Sequence, residues 1–150
     1  VGEVNVVKKM KETNAVIGGE GNGGVIYPEL HYGRDSLVGI AFILNLLAEK
    51  KVKLSELKKN YPAYTIIKNK IELTPKIDVE SLITDLKEHF SEYEVNTIDG
   101  LKIHFEDSWV HLRKSNTEPI IRVYAEAKNE QLASENIARV QDKVSEILGS

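Results

Sequence analysis

The sequence predicts an α+β protein: a two-layer domain with a mostly antiparallel sheet covered by two helices, preceded by a partial α/β domain. Three observations carry this. After residue 62, apolar and polar residues alternate with the period of half-buried strands, and most of these strands follow one another through short turns. Two stretches, 78–90 and 129–147, carry apolar residues at helical spacing on one face only, as helices laid on a sheet do. Before residue 51, a helix apolar nearly all round has few neighbouring segments to cover it.

Val4, Val7 and Met10, with Lys11, set a helix over 3–13. Ala15-Val16-Ile17 reads as a short strand entering Gly18-Gly19-Glu20-Gly21-Asn22-Gly23-Gly24, and Val25-Ile26-Tyr27-Pro28 as the strand that leaves it. Asp35 or Ser36 caps a helix running to about Lys50, with Leu37, Ile40, Ala41, Leu44, Leu47 and Ala48 as its main stripe. Leu54 to Lys59 allows one short helix, which Asn60-Tyr61-Pro62 breaks.

Beyond the break, 64–67 and 70–73 form one strand of about ten residues or two short ones. Asp78 caps a helix whose inner face is Val79, Leu82, Ile83, Leu86 and Phe90. Strands follow at 92–96, 101–105, 109–113 and 120–127, the first pair joined by a tight Asp99-Gly100 hairpin. Asn129 opens a last helix with Ala133, Ile137, Val140, Val144 and Ile147 toward the sheet. The order is β-α-β-β-β-β-α.

The totals exclude several classes of function. The 150 residues are 41% apolar and carry a net charge of −3, which gives no bulk basic field for nucleic acid or an anionic membrane surface. There is no cysteine, so disulfides, thiol chemistry and cysteine–zinc sites are absent from the sequence. The longest strongly apolar run, 37–48, is too short to span a bilayer. None of the four histidines stands in a metal-ligand pair, so no metal site is expected here. The chain opens Val1-Gly2-Glu3, as though within a pattern, and a piece of a longer protein is expected.

Two loops carry candidate chemistry. In the first, five glycines in seven residues allow close approach to a ligand, and Glu20 is the one charged side chain. Its carboxylate can accept from two sugar hydroxyls, and Asn22 can donate; a flexible glycine hairpin with a solvated glutamate is the plainer alternative. Arg34 either reaches back to this loop or forms a surface salt bridge. The second loop is Arg113-Lys114-Ser115-Asn116-Thr117-Glu118-Pro119. Arg113 offers a fork of parallel donors to a phosphate, and Ser115, Asn116 and Thr117 add hydroxyl, amide and backbone donors. Ordinary turns use the same residue types. Arg122, inside the next strand, either pairs with Glu126 or supports this loop.

Together the loops resemble a known family. The glycine loop, continued by Val25-Ile26, is similar to the sugar-recognition loop of the α-D-phosphohexomutases. The second, continued by Ile120 to Ala127, is similar to their C-terminal phosphate-binding loop. The resemblance covers the whole chain. It implies 1–50 as the end of the α/β sugar-recognition domain, 51–62 as a linker and 63–150 as the phosphate-binding domain. It further implies that Glu20 and Asn22 meet the sugar, and that Arg113, Ser115, Asn116 and Thr117 clamp the phosphate that is not reacting. In such enzymes a phosphoserine and a Mg²⁺ site lie in earlier domains, and a hexose 1,6-bisphosphate is the intermediate. The implied fragment would hold no catalytic residue and be inactive alone, with a phosphohexose as ligand, the earlier domains as partners, and a cytoplasmic location. Many members carry Ser where Asn22 stands and His where Gly24 stands, so the sugar is left open among glucose, mannose and glucosamine phosphates. A free-standing module binding phosphosugars or other anions is the alternative.

Overall fold

The computed structural model describes residues 2–21, 23–74 and 77–149. They form two compact units, Val1–Pro62 and Ala63–Ser150.

The first unit opens with α1 (Glu3–Thr13), which ends on Asn14 in the left-handed conformation. Met10 is its buried residue. The strand predicted at 15–17 is displaced: β1 is Gly18–Gly19, paired antiparallel with β2 (Val25–Ile26). Val16 and Ile17 remain exposed. Strand pairing falls on the glycines because two backbones must approach closely there, and a Cβ on Gly19 would lie 2.6 Å from the Gly24 carbonyl oxygen. The helix α2 (Ser36–Lys50) begins where expected: Asp35 caps it, its side chain accepting from the Leu37 and Val38 N–H groups. These bonds, that from Val38 foremost, and then His31 hold the Asp35 carboxyl below its usual pKa. No residue of α2 is buried; Leu37 is 76% and Leu44 61% exposed. The short α3 (Leu54–Lys58) follows and buries Leu57.

The second unit is built from β3 (Thr65–Glu72), α4 (Val79–His89), β4 (Glu94–Asn96), β5 (Leu101–Phe105), β6 (Ser108–Lys114), β7 (Ile120–Ala127) and α5 (Glu130–Leu148). The two stretches 64–67 and 70–73 thus belong to one strand, Thr65–Glu72. The sheet order is β3-β7-β6-β5-β4, antiparallel throughout. Asp78 caps α4 by accepting from the Glu80 and Ser81 N–H groups, and Asn129 caps α5 by accepting from that of Leu132. Alternation then sorts the strands. Leu101, Ile103, Val110, Leu112, Ile121, Val123, Ala125 and Ala127 are fully buried against Leu82, Leu86 and Phe90 of the α4 segment and Ala133, Ile137, Val140 and Val144 of α5. One polar pair enters this layer: Asn136 donates to the Ser108 hydroxyl at 2.9 Å. The intervening strand residues, Arg113 and Arg122 among them, form the other face of the sheet.

Candidate functional site

The loop between β6 and β7 is closed by two main-chain bonds. The Ser115 N–H donates to the Ile120 carbonyl at 2.9 Å, and the Pro119 carbonyl accepts from the Leu73 N–H at 2.8 Å. Ser115 is buried, while Asn116 and Thr117 are exposed at the tip. The Ser115 hydroxyl is a loosely held hub: the Thr117 N–H and Arg122 Nη2 each donate to it at 3.4 Å, and the Thr117 hydroxyl lies equally far. Bonds this long leave donors that a tighter acceptor can claim.

Strand register brings the arginines together. Arg113 on β6 stands directly opposite Arg122 on β7, and Lys70 on β3 stands opposite Arg122 from the other side. Three cations therefore lie in one row at the base of the loop. Like charges so placed repel, and each arginine has a carboxylate nearby. Arg113 Nε lies 3.1 and 2.9 Å from the two Asp99 carboxylate oxygens. Arg122 Nη2 lies 3.2 Å from Glu118. The Arg122–Glu126 pairing considered from spacing does not form: Glu126 instead accepts from the Trp109 indole N–H at 3.1 Å, and Arg122 turns to the loop.

The neighbouring row holds His111, which the sequence did not single out for this site. It lies opposite Tyr124 and Lys102. The ring is buried, and its Nε2 meets the Asp99 carbonyl oxygen at 2.6 Å, so a proton on Nε2 is donated there. Burial lowers its pKa, against the opposing pull of that hydrogen bond and the Asp99 charge. Lys102 lies 4.4 Å above the Trp109 ring, and burial lowers its pKa too.

The glycine loop lies in the first unit. Its backbone is held by bonds from Glu20 N–H to the Gly24 carbonyl and from Gly23 N–H to the Glu20 carbonyl, both 3.0 Å. The Glu20 side chain is 7% exposed. One carboxylate oxygen accepts from the Gly2 N–H at 2.7 Å, at the start of α1 where unpaired N–H groups favour an anion. The other lies 3.5 Å from Arg34 Nη1. Arg34 Nε also reaches Glu3 at 2.7 Å, so this one side chain is both a salt bridge and a contact to the loop. Glu3, Gly23, Gly24, Gly33, Arg34 and Ser36 line an open depression of about 680 Å³ beside it. Asn22 lies outside the described residues. Among those described, no group of three or more histidine, aspartate or glutamate side chains is arranged to hold a metal ion, and no helix is long and apolar enough to cross a membrane.

The two units coincide with two domains of one known family. Residues 49–146 match the C-terminal domain of phosphoglucomutase/phosphomannomutase, and residues 1–64 match its alpha/beta/alpha domain III. The chain belongs to the phosphoglucomutase/phosphomannomutase family. It is 41% identical over 148 residues to a phosphoglucosamine/phosphogalactosamine mutase of Sulfurisphaera tokodaii, covering 97% of this chain and 32% of that protein. It is 40% identical over 137 residues to a phosphoglucomutase/phosphomannomutase of Thermococcus kodakarensis, covering 90% and 30%. In structure it matches a phosphoglucomutase/phosphomannomutase family protein of Burkholderia thailandensis with a TM-score of 0.72 at 30% identity, covering 98% of this chain and 31% of that one. The chain thus spans about a third of the length of these relatives.

Proposed function

We propose that this chain is the sugar- and phosphate-gripping part of a phosphohexomutase that interconverts hexose 1-phosphates and 6-phosphates through a phosphoserine and a bisphosphate intermediate. The observation that carries this is the pairing of Arg113 with Arg122 beneath a loop of hydroxyl and amide donors. Two guanidiniums opposite each other repel even with Asp99 and Glu118 beside them, and a phosphate held between them offsets that repulsion with charge-assisted bonds to both.

Arg113 donates to the phosphate that is not reacting, Ser115 and Thr117 offer hydroxyls, and Asn116 offers its amide. Arg122 supports the loop through Ser115. In the first unit, Glu20 and Asn22 meet the sugar hydroxyls. Glu20 is held in place for this by the Gly2 N–H and by Arg34. The role is positional: holding the distal phosphate aligns the reacting one and retains the intermediate while it turns. The phosphoserine, a Mg²⁺ and the chemical step belong, in this reading, to parts of a cytoplasmic enzyme beyond these residues, and the chain alone is inactive. The hexose 1,6-bisphosphate is bound by the same clamp through whichever phosphate is distal.

The test is a titration of the 150-residue chain with glucose 1-phosphate and with inorganic phosphate, followed by amide NMR. Signals of residues 113–117 shift, and Arg113→Ala abolishes the shift. Unchanged signals at millimolar ligand would sink the clamp.

A further inference from the structure

We propose that Asp99 is the positioning residue of the phosphate loop: it fixes the Arg113 guanidinium by its Nε side, so that the Nη groups are presented to the anion. This rests on the phosphate-binding reading of 113–117 given above. Both Asp99 oxygens lie near Nε, at 3.1 and 2.9 Å. The hydrogen bond and the ion pair that join Arg113 to Asp99 both run through Nε.

The carboxylate is itself held in place. Asp99 sits in the β4–β5 hairpin, whose turn is fixed by the Asn96 side chain accepting from the Ile98 N–H at 3.0 Å. Its carbonyl oxygen meets His111 Nε2, and the next residue, Gly100, lies against the Leu112 carbonyl. The two arginines differ in this respect. Glu118, the partner of Arg122, is 58% exposed and rides on the loop, whereas Asp99 is 21% exposed and belongs to a different hairpin. An exposed partner on the loop can swing away when an anion arrives; a half-buried one anchored elsewhere keeps its hold.

Charge and geometry predict opposite outcomes. As a charge, Asp99 competes with phosphate for Arg113, and its removal tightens phosphate binding. As a positioning group it restrains a flexible side chain beside a second guanidinium, and its removal weakens binding.

Inorganic phosphate is titrated against the 150-residue chain and read from the amide signals of 115–117. Arg113→Ala comes first: loss of binding upholds the loop as the phosphate site, and unchanged binding overturns that reading together with this one. Given that loss, Asp99→Ala weakens phosphate about tenfold, and Asp99→Asn, which keeps an acceptor, stays within about threefold of the wild type. Binding by Asp99→Ala that is unchanged or tighter, or an equal loss in both variants, overturns the positioning role while leaving the loop as a phosphate site. A second measurement needs no variant. The Arg113 Nε–H exchanges slowly with solvent in the unliganded wild type, whereas rapid exchange overturns the proposal.

Discussion

His111 shows how one buried side chain ties stability to pH. Its folded pKa is lowered, first by burial, while an unfolded histidine titrates near 6.5. The unfolded chain therefore binds the proton more readily. The stabilisation from His111 is complete above about pH 6.5 and declines as pH falls below that toward the folded pKa. Asp35 and Glu146, whose pKa values are also lowered, contribute in the same direction, but only near and below about pH 4. Urea unfolding of the second unit's transition at pH 7.5 and 5.5 separates the two windows. His111→Gln, which retains a donor for the Asp99 carbonyl, costs about 1 kcal/mol at pH 7.5 and narrows the difference between the two pH values. An undiminished difference in the variant would assign the pH dependence elsewhere.

The β4–β5 hairpin makes the same point for a whole element. Gly100 has φ +78°, and a Cβ there would lie 2.1 Å from the Leu112 carbonyl oxygen. Gly100→Ala is expected to cost about 3 kcal/mol in chemical denaturation, through strain and backbone displacement together. It also shifts Asp99 and weakens phosphate binding. Much of this unit was legible beforehand. The alternation through Leu101, Ile103, Val110, Leu112, Ile121 and Val123 has the strand period, and Asp99-Gly100 has the chemistry of a hairpin. The caps Asp35, Asp78 and Asn129 were readable because capping is local. The partner of Arg122 was not. Glu118 and Glu126 both lie four residues away, and only the fold of the loop favours the first. The Asp99–Arg113 contact spans fourteen residues and depends on how the hairpin packs over β6. At the other loop, pairing moved from Ala15–Ile17 onto Gly18–Gly19, because closeness of two backbones decided the site of pairing over the propensity of the side chains.

Across the molecule, the two units differ in how they use their apolar residues. The sheet and its two helices enclose a continuous core. In the first unit α2 presents Leu37 and Leu44, seven residues apart and therefore on one side of the helix, largely to solvent. For the 150-residue chain on its own, the consequence is colloidal. Helices of this kind pair with one another, since each leucine removed from water contributes about 1.5–3 kcal/mol. Sedimentation velocity is expected to show association that grows with protein concentration, and the double variant Leu37→Glu, Leu44→Lys is expected to sediment as a monomer. Its α2 keeps the Asp35 cap, so the charges alter how the helix meets other molecules and not where it begins. A wild type that sediments as a monomer at every concentration would mean that so apolar a helix stays in water without a partner.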